Sequence, residues 1–314
     1  MAPRIAINSG GPQALDEWRA HFHEADPTIE VVGWDAAHAD PAGIGYALVW
    51  APEAGRLAAL PDLKLVISAG AGVDHILADP VLPATLPIAR MVTDSTAVAM
   101  AEYVLTAALA LMRDVRGMYA DQAERRWRTR DNPPGIGQTR IGIMGLGQLG
   151  AHVAHRLAQI GFDVAGWSRS PTDLPNVTCM AGQAALPAFL ARTDILVCLL
   201  PATEATRGIL STETFARLPR GAGLVNVGRG SHLVEADLLA ALDAGQLKGA
   251  VLDVFDVEPL PAQSALWTHP GITITPHCAA TPDRRERAYK AADIIARWER
   301  GERPDLIYDR QRGY

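Results

Sequence analysis

The sequence predicts an α/β protein made of two doubly wound parallel sheets, and three observations predict it. Short β-rich runs alternate with Ala/Leu-rich helical stretches, which is the pattern of βαβ units. The pattern occurs twice, on either side of a long apolar stretch at Thr93 to Arg116. Only the second set opens with a glycine-rich turn between a strand and an amphipathic helix. A chain of 314 residues has material for two domains of roughly 150 residues each.

In the first set the strand-like runs are Arg4 to Asn8, Ile29 to Gly33, Tyr46 to Trp50 and Leu65 to Ser68, with helical segments such as Ala14 to His23 between them. Thr93 to Arg116 then reads as one buried helix joining the domains. Glu124 to Asn132 is charged, and Pro133-Pro134-Gly135 stops any helix before the next strand. The basic run Arg125-Arg126-Trp127-Arg128 beside Glu124 reads as a solvated helix face rather than a nucleic-acid patch. The second set comprises Arg140 to Met144, Asp163 to Trp167, Ile195 to Leu200, Gly223 to Val227, Ala250 to Val254 and Ile272 to Thr275. Each is apolar enough for a parallel strand buried on both faces. Asp283 to Trp298 is a charged helical tail that is expected to pack back on the first domain.

Composition excludes several classes. With 48% hydrophobic, 20% charged and 6% aromatic residues, the chain reads as an ordinary soluble enzyme. A formal charge of -6, from 29 Lys+Arg against 35 Asp+Glu, gives no field to gather nucleic acid or an anionic membrane. No secretory leader and no bilayer-spanning apolar run is read, so a cytoplasmic protein without nucleic-acid or membrane partners is expected. Cys179, Cys198 and Cys278 are odd in number and form no CxxC, which argues against disulfides and zinc. His152 and His155 have no further ligand to complete a metal set, and none is expected.

The strand Arg140 to Met144 runs into Gly145-Leu146-Gly147-Gln148-Leu149-Gly150, followed by a helix with Leu149, Val153, Leu157 and Ile160 on one face. In such a turn the first glycine permits the bend, the second admits the pyrophosphate, and the third lets helix and strand approach. A dinucleotide site for NAD carries an acid roughly 20 residues on. That place holds Trp167-Ser168-Arg169-Ser170. With no carboxylate there to repel a 2′-phosphate, and a guanidinium to hold one, the expected cofactor is NADPH/NADP in preference to NADH/NAD.

Three more segments follow strands of the same set: Asn226 to Gly230 with Arg229, Leu252 to Pro259 with Glu258, and Thr275 to Ala280 with His277. Strand carboxyl ends line the ligand crevice of an open α/β sheet. A cation for carboxylate and carbonyl, an acid for the forming alkoxide and a carboxylate to hold that acid together suit 2-keto acid reduction. Cys278 beside His277 also raises a thiol nucleophile, which is disfavoured because neighbours on an extended segment point apart.

With these motifs the sequence resembles the D-2-hydroxyacid dehydrogenase family. The match spans SAGAGVD at Ser68 to Asp74, GLGQLG, LLPATEATRGIL, NVGRGSHLVEADLLAAL, GAVLDVFDVEPLP and ITPHCAA. Within the family it is most similar to the glyoxylate/hydroxypyruvate reductase A branch, through WSRS, Trp50 and the GERP to RGY ending.

The resemblance implies a Rossmann cofactor domain, 96–283, inserted into a flavodoxin-like substrate domain, 1–95 and 284–314. It implies that Arg229 binds substrate, that Glu258 pairs with His277, and that His277 transfers the proton. Backbone amides of Gly70, Ala71, Gly72 and Val73 would hold the substrate carboxylate, with Trp50 beside them as pocket wall or core residue. Pro201, Thr206, Val227, Gly228, Asp253 and Ala279 would lie about the nucleotide, and a homodimer would form through the cofactor domains and Arg113 to Trp127.

The sequence departs from many relatives in having Cys278-Ala279-Ala280 after His277. A nucleotide-sensing, corepressor-like protein and a dehydrogenase for a larger 2-hydroxy acid are the alternatives. The intact Arg229, Glu258 and His277 set argues against the first. Glu258 instead of Gln argues against a formate dehydrogenase, and the lack of a regulatory extension against a phosphoglycerate dehydrogenase.

Overall fold

Strand-forming runs of a few residues bury their backbone polar groups only by pairing. In the computed structural model they pair in two parallel sheets, one in each of two units, Met1–Ser95 with Pro282–Tyr314 and Thr96–Thr281. The structure describes residues 2–130, 133–281, 283–310 and 313. Asn132, at the end of the charged segment, and Arg312 and Tyr314 of the RGY ending lie outside the described residues.

The first unit contains strands β1 (Arg4–Asn8), β2 (Glu30–Gly33), β3 (Ile44–Val49), β4 (Leu65–Ser68) and β5 (Ile88–Ala89) in the order β2-β1-β3-β4-β5. Helices α1 (Leu15–Ala25), α2 (Trp34–Ala39) and α3 (Asp74–Leu77) belong to it, with the last helix of the chain, Arg284–Glu299. Trp18 and Phe22, one turn apart on α1, join Ala288, Ala291 and Ile295 of that last helix over Ile5, Tyr46, Leu48 and Ile67. Alternate residues of the same strands, Ala6, Ala47 and Val66, face a second cluster with Leu57 and Ile76. The sheet is therefore buried on both faces, as a parallel sheet requires.

In the second unit, α4 (Asp94–Arg113) and α5 (Val115–Ala123) precede β6 (Arg140–Met144), α6 (Gln148–Ile160), β7 (Asp163–Ser168) and β8 (Thr178–Ala181). Then come α7 (Leu186–Ala191), β9 (Ile195–Cys198), α8 (Thr212–Arg217), β10 (Ala222–Asn226), α9 (Glu235–Asp243), β11 (Leu247–Leu252) and β12 (Ile272–Ile274). The order β12-β11-β10-β9-β6-β7-β8 reverses direction between β6 and β9, the switch point at which such sheets take a dinucleotide.

Several expectations need correction. The stretch Thr93 to Arg116 is two helices, because Asp114 takes a left-handed φ of 52° and its carboxylate caps α5 through the Gly117 amide. α4 is long and apolar enough to cross a bilayer by length and composition. Its Met100, Val104, Ala108 and Met112 instead lie in the core of the second unit. The basic run is not on a helix face, since α5 ends at Ala123. There Arg126, Arg128 and Arg130 converge on Asp121 at 3.1, 3.5 and 2.6 Å, and Arg130 foremost holds that carboxyl below its usual range.

Strands β3, β9, β10, β11 and β12 stop one or two residues before the expected ends. The surplus residues, Trp50, Leu199, Leu200, Val227, Asp253, Val254 and Thr275, open the loops at the carboxyl edges. On α6 the buried face is Gly150, Val153, Ala154 and Leu157, while Ile160 is exposed. Gly150 sets that rotation: a Cβ on it would stand 1.8 Å from the Gly145 carbonyl oxygen.

Candidate active site

The turn after β6 is built on three glycines with different surroundings. Gly145 has a φ of +100°, and its amide donates to the Trp167 carbonyl at 2.8 Å, tying the turn to the end of β7. Gly150 meets the turn itself, as described above. A Cβ on Gly147 would touch nothing within 4 Å, so no part of the protein demands glycine there, whereas a phosphate group approaching the start of α6 would. Gln148 and Leu149 open that helix, and Leu146 packs against Gly166 of β7. Ser168, Arg169 and Ser170 follow β7, where the Ser168 hydroxyl donates to the Ser170 carbonyl at 2.7 Å and Arg169 is exposed. Across the switch point, Thr206 donates its hydroxyl to the Pro201 carbonyl at 2.7 Å, closing the loop after β9. This set fits a phosphorylated dinucleotide.

Strands β10, β11 and β12 are neighbours, and each carries one reactive side chain just beyond its carboxyl end. After β10, buried Val227 and Gly228 lead to Arg229, whose guanidinium donates to the Gly228 carbonyl at 2.7 Å. Beyond β11, Glu258 Oε1 accepts the Phe255 amide at 2.9 Å, which fixes the carboxylate on its own loop. Its Oε2 stands 2.8 Å from His277 Nδ1, beyond β12. A carboxylate accepts, so Nδ1 is the donor in this pair.

His277 has a φ of +52°, a conformation side chains rarely adopt and one that functional sites hold by surrounding contacts. Asp253 provides them from both sides. Its main-chain oxygen accepts the His277 amide at 2.9 Å. Its carboxylate accepts the amides of Cys278 and Ala279 at 2.9 Å each and the Thr275 hydroxyl at 2.6 Å. Behind Thr275 stands Tyr103 of α4, with the two hydroxyl oxygens 2.5 Å apart. Burial pushes the Tyr103 phenol up to about 12, so it remains protonated and donates to Thr275.

The segment is thus not extended at His277, and the reason against a thiol nucleophile changes. Burial first, and then Asp253, push the Cys278 thiol above its ordinary range, which keeps it a weak nucleophile.

In the first unit the loop after β4 turns its carbonyls inward. Ala69 oxygen accepts from Arg287 at 3.3 Å, Gly70 oxygen from the Met91 amide at 3.1 Å, Ala71 oxygen from Arg90 at 2.7 Å and Gly72 oxygen from Ser68 at 2.7 Å. Peptide planarity then turns the amides of Ala71, Gly72 and Val73 the other way, an arrangement that suits an anion. Burial, and then Arg284, lower the Arg287 guanidinium to about 10, so it is charged at neutral pH. Trp50 is not a core residue: it is 40% exposed, in a tilted ring contact with His75 whose centroids lie 4.4 Å apart. A Cβ on Gly70 would lie 2.8 Å from its ring.

The reading of the sequence missed Tyr103, Thr275, His232, Asn226, Arg90 and Arg287. Thr275 stands two residues before His277 and could have been noticed as a hydroxyl in an apolar strand end. Asn226, whose amide donates to the Arg229 carbonyl at 3.1 Å, and His232, whose ring accepts the Arg229 amide at 3.1 Å, each stand three residues from Arg229 in a motif already singled out, whereas Tyr103, Arg90 and Arg287 act from distant positions and carry no local signal.

With this geometry in hand, comparison with known proteins is informative. Residues 105–279 match the family model for the NAD binding domain of D-isomer specific 2-hydroxyacid dehydrogenases. The chain is 40% identical over 303 residues to a glyoxylate/hydroxypyruvate reductase A of Yersinia enterocolitica, covering 95% of this chain and 96% of that one. It resembles, with a TM-score of 0.93, 40% identity and full coverage of both chains, a D-isomer specific 2-hydroxyacid dehydrogenase from Xanthobacter autotrophicus Py2 in complex with NADPH and MES. A second solved structure is an NADPH-dependent glyoxylate/hydroxypyruvate reductase from Sinorhizobium meliloti in complex with NADP and sulfate. Its TM-score is 0.91 and its identity 39%, over 99% of this chain and 100% of that one.

Proposed function

Because the chain belongs to the D-isomer specific 2-hydroxyacid dehydrogenase family, we propose that it reduces glyoxylate, hydroxypyruvate or a similarly small 2-keto acid with NADPH. The observation that carries the chemistry is the His277 Nδ1 to Glu258 Oε2 bond of 2.8 Å, on strand ends next to the one that bears Arg229. A nucleotide sensor has no use for an oriented proton donor.

Gly145 to Gly150 and the start of α6 hold the pyrophosphate, and Arg169, flanked by Ser168 and Ser170, holds the 2′-phosphate. When bound, the reduced nicotinamide supplies the hydride. Pro201, Thr206, Val227, Gly228, Asp253 and Ala279 flank the nucleotide. The amides of Ala71, Gly72 and Val73, with Gly70 shaping the turn, take the substrate carboxylate, and Trp50 limits the side chain to a small one. Arg229 offsets the negative charge that grows on the carbonyl oxygen. His277 gives its Nε2 proton to that oxygen, while Glu258 keeps the ring oriented and stabilises its positive charge.

NADPH preference is supported by the absence of an acid at Ser168 to Ser170 and by the NADPH and NADP complexes of the relatives. A homodimer through the segment Arg113 to Trp127 agrees with a Trp127 side chain that is 98% exposed beyond α5.

The test is nicotinamide absorbance with a panel of 2-keto acids and both cofactors. The proposal expects glyoxylate or hydroxypyruvate to be turned over with a higher kcat/KM for NADPH than for NADH, and Arg169→Asp to reverse or erase that preference. Tight NADPH binding without turnover of any 2-keto acid would return the sensor reading.

A further inference from the structure

His232 is a fully buried histidine with no part in the chemistry above. It lies on the short turn Gly230–His232 that follows Arg229. Burying an imidazole costs free energy unless both nitrogens are satisfied. Here they are satisfied by two different loops. Nε2 stands 3.1 Å from the Pro201 carbonyl oxygen; a carbonyl only accepts, so the ring proton is on Nε2. Nδ1 is then the acceptor, and it takes the main-chain amide of Arg229 at 3.1 Å.

The Cys198 sulfur lies 3.6 Å from the same Nδ1. Burial pushes that thiol up to about 12, so it is a second, weak donor to the ring and not a thiolate. Gly228 leaves the space the ring fills: a Cβ there would stand 2.9 Å from Nδ1. The Pro201 oxygen also accepts the Thr206 hydroxyl at 2.7 Å. One continuous set of bonds therefore runs from Thr206 through Pro201 and the imidazole to the backbone of Arg229. It joins the loops that leave the adjacent strands β9 and β10.

We infer that His232 is a positioning residue that couples the nucleotide loop Pro201 to Thr206 to the substrate-binding Arg229, so that nucleotide and carboxylate each raise the other's affinity. This rests on the reductase reading, which assigns those two loops to those two ligands. A nucleotide that fixes Pro201 fixes, through a rigid ring, the main chain from which Arg229 projects. Linkage makes the effect reciprocal. An apolar residue would fill the same volume and leave the Pro201 oxygen and the Arg229 amide bonded to nothing across the gap.

The experiment is calorimetric titration of the full-length protein with oxalate, a non-reacting two-carbon dicarboxylate, with and without saturating NADP. For the wild type, NADP should tighten oxalate binding by about tenfold, within the usual range for coupled sites. His232→Leu should bring the ratio close to one while NADP still binds in the absence of oxalate. Two half-bridges guard against loss of folding. His232→Asn places its amide where Nδ1 lies and reaches only Arg229; His232→Gln places its amide where Nε2 lies and reaches only Pro201. Each should also lower the ratio to within about twofold of unity.

A merely structural role would weaken NADP and oxalate alike and leave the ratio as it was. A ratio near one in the wild type, or a wild-type ratio in either half-bridge, overturns the inference. If the wild type also turns over glyoxylate, the reductase reading stands without it. A wild type that neither turns over a 2-keto acid nor binds oxalate removes both.

Discussion

His277 and Glu258 show how much one residue depends on others. The imidazole is held by a carboxylate at 2.8 Å, and its backbone is held at a positive φ by four bonds from Asp253 to residues 275–279. In the proposed mechanism, replacing His277 by Ala removes the proton donor and frees Glu258 of its partner. It should lower kcat with glyoxylate by about 10² to 10⁴, read by steady-state kinetics, with NADPH binding retained. Turnover like the wild type's would take the proton transfer away from His277. At this scale Arg229, Glu258 and His277 were legible because each sits in a short motif at a strand end. Asp253 was expected beside the nucleotide from the family resemblance alone. Its bonds to Thr275, Cys278 and Ala279 cross 22 or more positions of chain and leave no mark in local spacing.

Among elements, α6 and its turn carry the tightest constraint. A methyl group on Gly150 would collide with the Gly145 carbonyl, which is main chain and cannot rotate aside. Gly150→Ala should therefore push α6 off β6 and cost about 1–3 kcal/mol, seen as a lower urea midpoint at unchanged slope. Nucleotide affinity should fall with it, since in the proposed complex the same turn presents its amides to the phosphates. A wild-type midpoint would mean the helix shifts at no cost. Elements with sustained patterns were read from sequence within a residue or two at most ends. β5, with two residues, and β8, half-buried at the sheet edge, gave no clear pattern. The break in α4–α5 went unseen because Asp114 signals a cap only once the Gly117 amide is known to reach it.

At the scale of the whole molecule, the two doubly wound sheets were legible because buried parallel strands are runs of apolar residues, and alternation with helices leaves few other topologies. Strand order was not, since pairing is a long-range property. One feature of the layout bears on how the protein is made. The core of the first unit contains Ala288, Ala291, Ile294 and Ile295 together with Ile5, Trp18 and Tyr46, so its first and last contributors are separated by nearly the whole chain. During synthesis the amino-terminal strands emerge early yet wait for the final helix, while the second unit already has all its strands. The segment translated second is thus the one able to finish folding first, reversing the usual amino-terminal-first order. Nascent chains stalled before Arg284 should show a protease-resistant core at Thr96–Thr281 and a digestible amino-terminal region, which becomes resistant once the last helix clears the ribosome. Early resistance of the amino-terminal region would show that it can hold its sheet without that helix.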